Sequence, residues 1–119
     1  MKKDVSIYLK DILENMELIE IFLDEMSYDD FVNDKKTYYA VIKCIEIIGE
    51  AVKQIPNSTR SKYPEIPWKD MAGMRDKVIH FYFGVDLEIV WLTATEDIME
   101  IKPLIKDVLE ELDIKSDDR

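Results

Sequence analysis

The sequence predicts an all-α fold, an antiparallel helical bundle of four to five helices. Three observations point to it. Apolar residues recur at helical spacing along three long segments. Only three glycines and four prolines punctuate 119 residues, too few for the many turns of a strand-rich domain. Charged residues make up 35% and hydrophobic residues 47%, enough for an inner and an outer face within one domain-sized chain.

Residues 4–25 read as the first helix. Val5, Leu9, Ile12, Met16, Ile19 and Phe22–Leu23 form its apolar stripe, with Asp11, Glu14, Glu17 and Glu20 between them. Ser27 suits the N-cap of a short turn through Phe31. Asp34 suits the cap of a second long helix, about 35–54, whose apolar set is Tyr38, Val41, Ile42, Ile45, Ile48 and Val52. Pro56, Asn57, Ser58, Pro64 and Pro67 then mark an irregular stretch, with room for one turn around Ser58–Lys62. A third helix is predicted over about 67–82, with Pro67 in its first turn and Gly84 as its stop. Asp86 caps a last helix, about 87–113. Pro103 sits inside it and predicts a kink, because its ring clashes with the Met99 carbonyl. There is no internal repeat and no linker, so residues 1–114 read as one helical domain and 115–119 as a disordered tail.

The net charge is −10, which favours solubility and opposes general nucleic-acid binding. The charge is uneven. Residues 53–77 hold six cations (Lys53, Arg60, Lys62, Lys69, Arg75 and Lys77) against three acids, a net +3, which leaves −13 on the rest. Such an island is either an anion site or chance clustering on a solvated loop. Cys44 is the one cysteine, so no intrachain disulfide forms, and its apolar setting suits a small packed hydrophobe in a reducing compartment. Asp4, Lys10 and Asp11 interrupt any signal-peptide core, and no apolar run reaches the ~18–20 residues of a membrane span. The expected location is the cytoplasm.

Several chemistries are unsupported. Gly49, Gly73 and Gly84 are isolated and form no phosphate-cradling loop. One His and one Cys do not make a usual zinc site, so no metal and no cofactor is expected. Asp29–Asp30 and Asp117–Asp118 lack metal-nucleotide spacing and read as solvated turn and tail. Nothing supports a Ser-His-Asp triad.

The segment Met74–Phe83 is different, because Arg75, His80 and Tyr82 crowd into it. On a helix, Arg75 and Tyr82 point within about 20° of each other. His80 lies about 140° from Arg75, unless the helix loosens before Gly84. Arg grips phosphate oxygens in a two-pronged way. His exchanges protons near neutral pH. Together they supply the minimum for metal-independent RNA cleavage. The base takes the ribose 2′-hydroxyl proton, that oxygen attacks the adjacent phosphorus, and the guanidinium stabilises the added charge. DNA lacks that hydroxyl. The leaving oxygen also needs an acid, and the chain has one His, so this chemistry predicts a two-fold homodimer. The competing reading is a hydrogen-bonded His in a core or interface.

The ordered set of motifs resembles the HepT-like proteins of the HEPN superfamily. Arg75, Asp76, then Lys77-Val78-Ile79, His80, Phe81, Tyr82 resembles their Arg–polar–three residues–His–one residue–Tyr motif. Ile48-Gly49-Glu50-Ala51, Tyr63-Pro64-Glu65-Ile66-Pro67-Trp68, and Gly84-Val85-Asp86 followed by Ile89-Val90-Trp91 are similar to the flanking segments, so the likeness covers most of the chain. The resemblance implies a bundle dimerising around two motif helices. It implies an endoribonuclease toxin of a type VII-like toxin–antitoxin pair, with a minimal nucleotidyltransferase antitoxin as partner. It implies that this antitoxin inactivates the toxin by AMPylating Tyr82. The chain lacks the transferase's own Gly-Ser and Asp-x-Asp signature, which makes it the target. The alternative is a non-catalytic helical partner or substrate-binding subunit of the transferase.

Supporting roles are expected around the pair. Glu50 either holds Arg75 or His80 in place or simply faces solvent. Asp76 orients Arg75 or the facing subunit's His80. Lys77 either binds RNA phosphate or is a plain surface lysine. Trp68, Phe81, Phe83 and Trp91 suit core or dimer contacts better than base-stacking platforms.

Overall fold

The computed structural model describes residues 4–80 and 84–117. It is all-α apart from one two-residue β-bridge. The order is α1 (Val5–Phe22), α2 (Tyr28–Val32), α3 (Lys35–Lys53), α4 (Asn57–Lys62), α5 (Trp68–Ala72), α6 (Met74–Val78), β1 (Ile79–His80), β2 (Gly84–Val85), α7 (Leu87–Leu92), a π-helical turn (Thr93–Asp97) and α8 (Ile98–Asp117).

Capping side chains set the helix starts. Asp4 accepts from the Ser6 amide at 3.0 Å. Ser27 and Asp30 form a reciprocal capping box, each accepting from the other's backbone amide at 3.1 Å. Asp34 accepts from the Thr37 amide at 3.1 Å and from its hydroxyl at 2.8 Å. These two bonds hold its carboxyl below the usual carboxylate range. The first helix stops at Phe22, short of the expected residue 25, because Glu25 adopts left-handed backbone at φ 59°.

Leu9, Ile12, Met16 and Ile19 on α1 are fully buried at helical spacing. They face α3, which buries Val41, Ile42, Cys44, Ile45, Ile48, Gly49, Ala51 and Val52. Tyr8 and Asp11 share a surface groove with Lys43–Gln54 residues, so the start of α1 lies beside the second half of α3 and the two run antiparallel. Lys102 near the start of α8 bonds Glu20 near the end of α1, which sets α8 antiparallel to α1 as well. Burial pushes the Cys44 thiol up, so it packs as a neutral small hydrophobe.

The irregular stretch after α3 is tied down from within. Arg60 donates to the carbonyls of Ile55 at 3.0 Å and Val52 at 2.9 Å, closing the end of α3. The Trp68 indole donates to the Tyr63 carbonyl at 3.0 Å, and both residues are buried. Trp68 is therefore a core residue. Trp91 is partly buried and packs against the core, its ring 5.3 Å from Phe31 and 5.9 Å from Tyr28, centroid to centroid.

Two helices differ from the sequence pattern. The segment expected as one helix over 67–82 is divided at Gly73 and ends at Val78. The last helix is interrupted by the π-turn, where the Ile98 amide reaches back five residues to the Thr93 carbonyl. It then runs to Asp117, past the expected end near 113 and into the stretch read as a tail. Pro103 lies inside α8, where its missing N–H leaves the Met99 carbonyl without a helical donor.

Phe31 is fully buried between Tyr38 of α3 and Trp91 of α7. Phe31→Ala should lower the unfolding free energy by about 3–5 kcal/mol in urea titration, the usual cost of an aromatic core cavity.

Candidate functional site

Of the residues singled out for chemistry, Arg75, Asp76 and Lys77 lie on α6, His80 on β1 and Glu50 on α3. Trp68, Met71, Met74 and Val78 form the buried face that seats the α5–α6 segment. It packs chiefly against α3. Gly49 faces the Ala72 and Met71 carbonyls, which a Cβ there would meet at ordinary contact, 3.5 and 3.7 Å, so the packing leaves room for a small side chain at this position. The opposite face carries Arg75, Asp76 and Lys77, all exposed.

The helix ends where its sequence turns from helix-tolerant to β-favouring. Val78 and Ile79 are β-branched, and aromatic residues follow. Ile79 takes extended backbone at φ −114° and ψ 115°. Ile79 then pairs with Val85 and His80 with Gly84 in antiparallel register. The Asp86 amide donates to the Val78 carbonyl at 3.3 Å, which gives one of the helix-end carbonyls a partner. Gly84 sits at φ +79°, the left-handed region that closes the hairpin. His80 is thus on a strand end rather than on the helix of Arg75, so the 140° helical offset does not apply. Tyr82, with Phe81 and Phe83, lies outside the described residues.

Among the described residues the Arg75 guanidinium approaches only its neighbour Asp76, at 3.4 Å, and its side chain is 48% exposed. An exposed contact of that length contributes at most a fraction of a kcal/mol, roughly 0–1. Arg75 is therefore free to exchange Asp76 for an anion from solvent. Lys77 leans the other way, to Asp97 at 3.5 Å. Glu50 bonds Lys53 at 3.3 Å, with its side chain 64% exposed. Arg60, as described, is occupied by the end of α3. Of the basic island, Lys53, Arg60, Arg75 and Lys77 have local partners, whereas Lys62 and Lys69 make no ion pair among the described residues; Arg75 is held only by its exposed contact with Asp76.

A cleft of about 580 Å³ borders this segment. Lys69, Asp70, Gly73 and Lys77 line one wall, and Asp97, Glu100 and Ile101 the other. Asp97 carried no signal in the sequence. It reaches Lys77 across twenty positions only because the π-turn brings it there. The same turn buries the Thr93 hydroxyl with no hydrogen-bond partner among the described residues. Among those residues, no three His, Cys, Asp or Glu side chains are grouped to hold a metal ion. None of the described helices is long and apolar enough to cross a membrane.

Fold and segment together define a small HEPN-like helical domain with an exposed arginine and a histidine at the edge of an interrupted motif helix. Comparison with known proteins makes this specific. The chain belongs to the HepT-like family, whose model, Ribonuclease HepT-like, matches residues 12–108. It is 55% identical over 102 residues to the Probable ribonuclease HepT of Thermococcus cleftensis, covering 86% of this chain and 93% of that one. It is 51% identical over 114 residues to a Methanocaldococcus jannaschii protein bearing a provisional RNase designation, covering 96% of this chain and 98% of that one. A second such protein of the same organism is 49% identical over 116 residues, covering 98% and 96%. No solved structure gives a significant match.

A Cβ on Gly84 would meet nothing within 4 Å among the described residues, so the backbone at φ +79° is the strain expected to oppose substitution. Gly84→Ala should lower stability by about 1–2 kcal/mol in thermal unfolding. Gly84→Asn should cost less, since Asn tolerates left-handed backbone. Equal costs for both would show that packing rather than φ sets the requirement.

Proposed function

We propose that this chain is a metal-independent endoribonuclease toxin acting in the cytoplasm as a two-fold homodimer. Membership of a ribonuclease family supports the reaction class. The exposed, loosely partnered Arg75 beside the strand that carries His80 is the observation on this chain that carries the assignment.

The chemistry follows from the two side chains. Neutral His80 removes the proton of a ribose 2′-hydroxyl, and that oxygen forms a bond to the adjacent phosphorus. Arg75 replaces Asp76 with the phosphoryl oxygens and stabilises their growing charge. The bond from phosphorus to the 5′-oxygen breaks, and that oxygen takes a proton from the protonated His80 of the second copy. Asp76 holds Arg75 in place between turnovers, and Lys77 can leave Asp97 for a neighbouring phosphate. Glu50 pairs with Lys53 and faces the groove between α1 and α3, so it takes no part in this reaction. DNA cannot enter the reaction, because it has no 2′-hydroxyl.

Tyr82 is the off-switch in this reading, and a minimal nucleotidyltransferase antitoxin is the partner. The phenol oxygen bonds the α-phosphorus of ATP, pyrophosphate leaves, and the phenol proton goes to solvent. The added phosphate is a negative charge set beside the place where RNA phosphate binds. The strong acidity of the chain favours a second reading, in which the domain is a non-catalytic helical partner of the transferase.

Two experiments test the assignment. Arg75→Ala and His80→Ala should each lower RNA cleavage by at least about 100-fold, while wild-type cleavage persists in EDTA. Intact RNA after incubation with folded, unmodified wild-type dimer would establish the non-catalytic reading instead. For the switch, the protein is incubated with ATP and the neighbouring transferase and then weighed. One or more adenylyl groups should add to wild type and none to Tyr82→Phe; addition to both would place the modification elsewhere.

A further inference from the structure

The positive charge of this acidic chain is not confined to the motif segment. Residues 35–45 hold Lys35, Lys36 and Lys43 and no acid, against a net charge of −10. All three lysines are exposed, and so is Tyr39, at 55%. At about 100° and 1.5 Å per residue, the four side chains fall within an arc of about 100° and a rise of about 12 Å. They form a narrow strip of cations around an open aromatic ring.

The strip is built rather than incidental. The Lys35 ammonium stands 5.8 Å from the Tyr39 ring centroid. Tyr38 backs that ring at 5.2 Å, and Phe31 holds Tyr38 at 6.0 Å. Phe31 also contacts Trp91 on α7 at 5.3 Å. The Tyr39 ring is thus met at a tilt by Tyr38 and overlaid at a distance by the Lys35 ammonium, and more than half of the residue stays exposed. The nearest acids offset the strip only in part. Asp34, beside Lys36, chiefly serves the Thr37 amide and hydroxyl, and Glu46 makes a 3.9 Å exposed contact with Lys43. Lys35 and Lys36 carry no ion pair among the described residues.

An exposed aromatic ring with cations around it fits single-stranded nucleic acid, in which a base takes the place of the Lys35 ammonium on the ring and the lysines meet flanking phosphates. The aromatic chain from Tyr39 leads through Tyr38 and Phe31 to Trp91 on α7, and Asp86 with four residues of that helix, about 6 Å of rise, separates Trp91 from the strand that pairs with His80. We propose that Lys35, Lys36, Tyr39 and Lys43 form a binding strip for the single-stranded RNA that reaches the Arg75–His80 segment. This rests on the ribonuclease reading. It supplies what that reading lacks, a source of RNA affinity on an acidic molecule.

The test uses the full chain and a fluorescent 2′-O-methyl oligonucleotide of about ten nucleotides, within the usual reach of a stacking groove and resistant to cleavage. Binding is followed by anisotropy across a salt series. Tyr39→Ala should weaken binding by about 5–100-fold, and Tyr39→Phe should restore it. Replacing Lys35, Lys36 and Lys43 together by Ala should flatten the slope of log affinity against log salt by about 2, the share of three phosphates. If wild type binds and cuts RNA while these variants bind it equally well, the strip is wrong and the ribonuclease reading stands. If wild type neither binds nor cuts RNA, both fall. If Tyr39→Ala turns a dimer into a monomer in sedimentation, the strip is covered by a second copy and the RNA assignment is overturned.

Discussion

Burial of the apolar face of α3 holds the other elements in register. Val41, Ile45, Ile48 and Val52 are fully buried along that face, and α1, α2, α5, α6 and α7 all pack against the helix. Burying one such aliphatic side chain stabilises by about 1.5–3 kcal/mol, whereas each exposed ion pair around the motif contributes at most about 1. The chemistry-bearing segment is thus positioned by its inward residues, Met71, Met74 and Val78, and not by its charges. Arg75 and Lys77 can exchange partners without disturbing the frame that aims them.

This division explains what was legible in the sequence. Periodic burial and capping chemistry are local and strong, so α1, α2, α3 and the start of α7 could be read from Leu9–Ile19, Ser27, Asp34 and Asp86. The motif helix could not. Its apolar residues keep helical spacing up to Val78, and nothing local shows that Ile79 will find Val85 as a strand partner. The preference of β-branched and aromatic residues for extended backbone decided between two conformations that the pattern alone left equal.

The candidate site was legible as residue types and obscure as geometry. Arg75 and His80 stood out by their chemistry. Their partners did not, because Asp97 lies twenty residues from Lys77 and becomes its neighbour only through the π-turn. Arg60 misled for the same reason. As a charge it belongs to a basic island; as a structure it is a cap on α3, and its guanidinium serves two backbone carbonyls. Net charge over a sequence window says where cations are, and only their contacts say which remain available.

The π-turn at Thr93–Asp97 has one more consequence, in the phase of the helix that follows it. A five-residue hydrogen bond accommodates one residue more than a regular turn, and one residue of α-helix is about 100° of rotation. Straightening that turn would rotate Ile98, Ile101 and Ile105 away from the core they now fill, and Glu100 away from the cleft. The wide turn, with its buried Thr93 hydroxyl, thus works as a fixed offset. It lets one continuous rod keep an apolar seam toward α1 while turning an acidic edge toward the motif.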